Sequence, residues 1–190
     1  EALMDALADQ PGADCSIATP AFPDNGRTVF KGHLFVGDVL LSESGMQNHP
    51  LTPMTDANLV RVLQGQCRRK VGLIDYKVVA QGADAIRSRI DQLRADGVSL
   101  AVVDAISNDD LMRLGPALKG LPLVTAGSGV AIGLPANFGI APSNTASALP
   151  PPNGFQAVVS GSCSLATNRQ VAAFIEAGRP ALVIDPLQLA

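Results

Sequence analysis

From Lys70 onward, short apolar runs alternate with amphipathic stretches. Val71–Asp75 is followed by Ala83–Asp96, then by Leu100–Ile106, then by a stretch carrying Leu111, Leu114 and Leu118, then by Leu121–Thr125. That rhythm is the signature of βαβ units, in which parallel strands share one sheet and helices cover it. Within Ala83–Asp96, Ile86, Ile90 and Leu93 fall at i, i+4 and i+7 while arginines and aspartates take the other face, which predicts a helix. Gly97 is placed to end it. Ser107 and Asp110 have the S-x-x-D spacing of a capping box at the start of the next helix.

Upstream, the pattern differs. Cys15–Phe22 reads as a buried strand leading into the turn Pro23-Asp24-Asn25-Gly26. Thr28–Val36 and Val39–Ser42 are rich in β-branched, aromatic and aliphatic residues, interrupted at Lys31-Gly32-His33 and Gly37-Asp38, and predict a small antiparallel flap. Pro50 and Pro53 remove backbone donors and restrict their neighbours, so Asn48–Asp56 reads as an irregular loop. It feeds a helix over Ala57–Cys67, capped by Thr55 or Asp56. Glu1–Ala8 reads as helix, without the basic-then-apolar order of a signal peptide.

Pro142 and the triplet Pro150-Pro151-Pro152 break the rhythm among small polar residues, so residues 141–154 form a Pro-rich linker in this reading. Residues 1–140 precede it as an α/β segment. Beyond it Phe155–Ser160 reads as a strand, Leu165–Ala177 as a helix closed by Gly178, and Pro180–Asp185 as a further strand. Residues 155–190 are thus the start of a second α/β domain, too short to bury a core alone.

Composition narrows the function classes. Apolar residues make up 47% and charged residues 16%, which excludes a disordered chain. The longest apolar runs fall far short of the roughly 18 residues that cross a bilayer. A net charge of −3 and no basic block beyond Arg68-Arg69-Lys70 argue against a nucleic-acid surface. Cys15, Cys67 and Cys163 are odd in number and widely spaced, giving neither a disulfide framework nor metal-ligand spacing with His33 and His49. A reducing cytoplasm is the expected compartment.

Three segments carry candidate chemistry. Ser160-Gly161-Ser162-Cys163-Ser164 lies between a predicted strand and a helix, where backbone amides and hydroxyls can meet a phosphate. The competing reading is a tight turn with a Thr167-x-x-Gln170 capping box. Gly127-Ser128-Gly129 with Gly133 gives G-x-G-x-x-x-G, a weak dinucleotide fingerprint whose acidic ribose partner is missing, so a structural turn is favoured over an NAD-dependent dehydrogenase. Arg27 is suited to fork onto a carboxylate, and His49, Thr52 and Asp56 to hydrogen-bond hydroxyls or move a proton. Against these stand a surface ion pair, a loop-pinning bond and an N-cap. Asp75, Asp104 and Asp185 each end a predicted strand, where catalytic carboxylates occur but caps are commoner.

Taken together, Pro23-Asp24-Asn25-Gly26-Arg27-Thr28, the run Gly32–Met46, the loop His49–Asp56 and Ser160–Ser164 resemble the four-carbon acid sugar kinase family over nearly the whole chain. The resemblance implies two α/β domains, a sugar-acid-binding one and a nucleotide-binding one, joined by the linker. It implies ATP with Mg²⁺ as phosphoryl donor and a small sugar acid as acceptor. It assigns Ser160, Gly161 and Ser162 to ATP, with Ser162 as the direct contact, and Arg27, His49, Thr52 and Asp56 to the acid. No catalytic base and no protein-held metal are assigned. Family members carry an Asp-Asp-Phe-Thr-Gly type motif before the position of Glu1 and a Gly-Gly-Glu-Thr type motif beyond Ala190, so an internal fragment, inactive alone, is expected, with residues 1–140 the later part of the sugar-acid-binding domain and 155–190 the start of the nucleotide-binding one. Apolar surface left uncovered in such a fragment can drive association, so a homo-oligomer of it need not be the native state. The rival from another class is a non-catalytic domain that binds a sugar acid or a nucleotide.

Overall fold

The computed structural model describes residues 2–6, 13–49, 51–162 and 164–185. It divides into two compact units, Glu1–Pro142 and Ser143–Ala190.

In the first unit, α1 (Ala2–Ala6) precedes β1 (Ser16–Thr19), and then β2 (Arg27–Phe30), β3 (His33–Val36) and β4 (Val39–Leu40) form a three-stranded antiparallel meander. This is the expected flap. Next come α2 (Leu59–Gln64), β5 (Lys70–Ile74), α3 (Tyr76–Val79), α4 (Ala83–Ala95), β6 (Val98–Val103), α5 (Asn108–Ala117) and β7 (Thr125–Ala126). The remaining strands make a parallel sheet in the order β5-β6-β1-β7. The α/β class with a parallel sheet and a small antiparallel one is as the periodicity predicts.

The order of strands fixes where the helices go. The chain leaves β1, crosses over β6 to reach β5, and then returns in the opposite direction through β6 to β7. Right-handed crossovers in opposite directions put their helices on opposite faces. Neighbouring residues of β5 show both faces: a Cβ on Gly72 would meet Leu93 of α4, whereas Leu73 lies beside Gly32 together with Val60 of α2. Ile17, Ile74, Ile86, Val103, Leu111 and Leu114 are wholly buried and form the centre of the core. Burying one such side chain contributes about 1.5–3 kcal/mol.

Some boundaries differ from the sequence reading for identifiable reasons. β1 stops at Thr19, because Pro20 has no amide to extend the ladder. The helix expected over Ala57–Cys67 runs only over Leu59–Gln64, with Asn58 rather than Thr55 or Asp56 as its cap; the Asn58 side chain accepts from the Arg61 amide at 3.0 Å. Ala57 is taken by the flap instead, its carbonyl accepting the Leu34 amide at 3.0 Å. β4 ends at Leu40, where a 3₁₀ turn over Leu41–Glu43 begins. Of the run Leu121–Thr125 only Thr125 is strand, with Ala126 as the second residue of β7. Leu7 and Ala8 of the expected first helix lie outside the described residues.

In the second unit, α6 (Leu165–Glu176) matches expectation, but Phe155–Ser160 and Pro180–Asp185 form no strand. A strand exists only through a neighbour that takes its amides and carbonyls. Among the described residues neither segment is paired in a ladder, and Phe155, Val159, Leu182 and Val183 are exposed. The cap of α6 is Ser164, whose hydroxyl accepts the Thr167 amide at 3.1 Å, in place of the Thr167–Gln170 box.

Candidate functional site

The carboxyl ends of β1 and β6 lie side by side, and the segments leaving them go to opposite faces of the sheet. Such a switch point is where open α/β sheets bind ligands. Here the flap is docked against it. The Val29 amide donates to the Ala105 carbonyl at 2.9 Å and the Ala105 amide returns the bond at 3.0 Å. Asp104, wholly buried at the end of β6, accepts the amides of Lys31 at 2.7 Å, Gly32 at 2.8 Å and Tyr76 at 3.0 Å. Burial pushes its carboxyl above the usual range, against the pull of those three amides. Phe30 stacks on Tyr76 with ring centroids 4.7 Å apart, and the Lys31 ammonium sits 5.4 Å from the same ring. Asp75 caps α3 by accepting the Val78 amide. Asp104 and Asp75 are therefore occupied by backbone, in keeping with capping roles.

The loop that leaves the flap carries three of the four acid-site candidates. His49 and Thr52 are brought together: His49 Nδ1 accepts the Thr52 amide at 3.0 Å and lies 3.1 Å from the Thr52 hydroxyl. Because Nδ1 accepts an N–H, the neutral ring carries its proton on Nε2. His49 thus offers an outward donor and not a free acceptor. Pro50, between them, lies outside the described residues.

Asp56 is differently engaged. Arg61 grips its carboxylate with two bonds, Nε to Oδ2 and Nη2 to Oδ1, both 2.8 Å, and the Asn58 amide donates to Oδ1 at 2.9 Å. The Arg61 hydrogen bonds hold the carboxyl well below its ordinary range, at about 2. Neither Arg61 nor Asn58 stood out in the sequence, and the Asp56-x-Asn58-x-x-Arg61 spacing is the signal that was there to find. Asn58 also reaches His33, its Nδ2 donating to Nε2 at 3.3 Å, while His33 Nδ1 donates to the Lys31 carbonyl at 2.9 Å.

Arg27 stands apart. It is exposed on β2 opposite Val36, and among the described residues its guanidinium has no hydrogen-bond or ion-pair partner. No hydrogen bond joins it to His49, Thr52 or Asp56. The cavity on the sheet face, of about 280 Å³, is lined by Ala18, Val102 and Thr125 from the strands and Leu59, Val62 and Leu63 from α2, and touches none of the four.

In the second unit, Ser160, Gly161 and Ser162 are exposed ahead of α6. Space around Gly161 is open, since an added Cβ would meet nothing within 4 Å. The Ser162 hydroxyl accepts the Ser164 amide at 3.2 Å and keeps its own proton to donate. Cys163 lies outside the described residues. The glycine turn at Gly127-Ser128-Gly129 leads into a 3₁₀ turn over Ser128–Ile132, not an α-helix. A Cβ on Gly129 would run into the Ala21 carbonyl and sit 3.0 Å from Phe22 Cα, so the glycine serves close packing. The structural turn is the correct reading there.

Among the described residues no helix is long and apolar enough to cross a membrane, and no group of three metal-ligating side chains comes together.

Comparison with known proteins places the chain. It is 60% identical over 193 residues to the 3-oxo-tetronate kinase of Pseudomonas fluorescens, covering 100% of this chain and 44% of that protein. A crystal structure of a Haemophilus influenzae protein superimposes with a TM-score of 0.70 at 46% identity, covering 92% of this chain and 42% of the other. A Bordetella bronchiseptica protein, a domain-swapped dimer with bound citrate, superimposes at 0.52 with 25% identity, covering 86% and 37%. The chain spans less than half the length of the relatives it matches. Residues 1–134 match the model of a family described as the sugar-binding N-terminal domain. With its parallel sheet, docked flap and polar loop accounted for, the chain belongs to the sugar-binding N-terminal domain family.

Proposed function

We propose that this chain is part of a kinase that moves the γ-phosphoryl group of ATP to the terminal hydroxyl of a four-carbon sugar acid, a 3-oxo-tetronate giving its 4-phosphate. The observation that carries this reading is the 60% identity, across all of the chain, to a relative named 3-oxo-tetronate kinase. Residues 1–140 are read as the acid-holding part, 141–154 as a linker and 155–190 as the beginning of the nucleotide-holding part. The 190-residue chain by itself does not turn over in this reading.

The chemistry asked of the residues is mostly positioning, because phosphoryl transfer passes through a loose transition state with little for protein groups to do covalently. The Arg27 guanidinium, without a partner among the described residues, suits the substrate carboxylate, which it can fork in two parallel bonds. His49, with Nδ1 held by Thr52, presents Nε2–H to a carboxylate or hydroxyl oxygen. Thr52 adds a hydroxyl, and Asp56, already held by Arg61, accepts from a substrate hydroxyl. A bound citrate in the Bordetella relative is consistent with a family that takes small hydroxy acids, and its swapped dimer with a homo-oligomer. On the nucleotide side, Ser160 and Ser162 hydroxyls and the Gly161 amide are the groups offered to the phosphates of ATP. Mg²⁺ accompanying ATP would neutralise the phosphate charge. The attacking hydroxyl oxygen bonds to the γ-phosphorus as the bond to the β-phosphate oxygen breaks, releasing ADP and the hydroxyl proton.

The test is ADP release by the full-length protein that contains this chain, with a 3-oxo-tetronate as acceptor. Turnover dependent on both substrates is expected, with none from the 190-residue chain. Absence of turnover by the full-length protein would overturn the reading.

A further inference from the structure

Asp104 is a wholly buried charge-bearing side chain that the proposed chemistry does not use. Its three amide donors come from two places: Tyr76 opens α3, and Lys31 and Gly32 form the turn of the flap. That turn is one the backbone resists, for Lys31 at φ +52° is the single non-glycine residue with positive φ among the described residues. The carboxylate holds it there.

The far side of the same turn leads to the acid loop. The Gly32 carbonyl accepts the Leu59 amide at 2.8 Å, the first residue of α2, and the Ala57 carbonyl accepts the Leu34 amide at 3.0 Å. Between them Asn58 contacts His33 and donates its amide to Asp56. A continuous line of bonds therefore runs from Asp104 through Gly32 to the segment that ends the His49–Asp56 loop.

Resting on the kinase reading above, we propose that Asp104 is a positioning residue: by clamping the Lys31-Gly32 turn it fixes the anchor of the loop that carries His49, Thr52 and Asp56, and so sets affinity for the sugar acid without touching it.

The experiment compares wild type and Asp104→Asn in the full-length protein. Asparagine keeps the shape but turns an N–H₂ group toward at least one of the three amides. The expected result is a KM for the sugar acid raised about tenfold or more, with kcat and the KM for ATP within about twofold. A fall in kcat and a rise in both KM values together, in step with a lowered Tm, would show a fold staple and overturn the proposal. An unchanged acid KM would overturn it too. No turnover by wild type would overturn the kinase reading and this assignment with it, whereas an active wild type with an indifferent variant removes the assignment alone. Should Asp104→Asn fail to fold, amide exchange of the wild-type protein decides: saturating 3-oxo-tetronate is expected to slow exchange at Gly32 and Leu59, and no change at either would count against the proposal.

Discussion

Arg61 grips both carboxylate oxygens of Asp56 at 2.8 Å, five residues along the chain, so the acid at the end of the loop is tied to the first turn of α2. The pairing holds the Asp56 carboxyl at about 2, below its ordinary 3.8. A carboxyl lowered on folding contributes stability that is complete above its unfolded value and is lost as pH falls through the folded one. The contribution of this pair is therefore full above about pH 4 and gone near pH 2. Titration of the Asp56 carboxyl carbon by NMR should show a midpoint near 2, and Arg61→Ala should return it toward 3.8. A wild-type midpoint near 3.8 would remove the pair as a solution feature.

At the start of α5, Ser107 and Asp110 cap each other: the Asp110 amide donates to the Ser107 hydroxyl at 3.3 Å, and Asp110 Oδ2 accepts the Ser107 amide at 3.1 Å and the Ile106 amide at 3.0 Å. Ser107→Ala should cost about 1 kcal/mol, the ordinary worth of an N-cap. Asp110→Ala should cost more, about 2–3 kcal/mol, because two amides lose their acceptor near a residue that is only 8% exposed. Urea unfolding of both variants checks the order, and equal losses would contradict it.

Gly115 and Gly133 mark where α5 meets the segment after β7. A Cβ on Gly115 would run into the Gly133 carbonyl, backbone against backbone with no flexible side chain to yield. Gly97, which ends α4 at φ +74°, has nothing within 4 Å of such a Cβ. Gly97→Ala should cost about 1 kcal/mol from its left-handed backbone alone. Gly115→Ala should cost about 3 kcal/mol or more. Thermal unfolding that ranks the two the other way would refute the close approach.

The features that local pattern encodes were legible from the residues. Ile86, Ile90 and Leu93 are buried as their spacing requires, Gly97 ends its helix, and Ser107 with Asp110 forms the box its spacing announces. What failed depends on partners distant in sequence. Ala57 and Leu59 have helix-forming neighbours, but the flap takes the Ala57 carbonyl and Gly32 takes the Leu59 amide, moving the cap to Asn58. Phe155–Ser160 has the composition of a strand and, among the described residues, no strand to pair with. Asp104 shows the same limit, since an aspartate after a strand looks alike in sequence whether it meets a substrate or three backbone amides. For His49 the sequence left a substrate role and a loop-pinning bond open; the bond to the Thr52 amide, and with it which ring nitrogen carries the proton, followed only from the structure.

The proposed division of labour between acid-holding and nucleotide-holding residues gives the last prediction. If Arg27 holds the acid and Ser162 the nucleotide, their variants must fail in opposite ways in the full-length protein. Arg27→Met removes a charge-assisted pair worth about 1.5–3 kcal/mol, or about 10- to 150-fold, and should raise the KM for the sugar acid by that factor with the KM for ATP unchanged. Ser162→Phe replaces a small hydroxyl beside Gly161, in a segment with open space around it, so the protein should fold as before. Its KM for ATP should rise while that for the acid stays. Steady-state kinetics with each substrate varied in turn distinguishes the two. A variant that raises both KM values equally would show that its residue serves the fold or a shared step, and would return that residue to the surface-pair or turn role that its type more often plays.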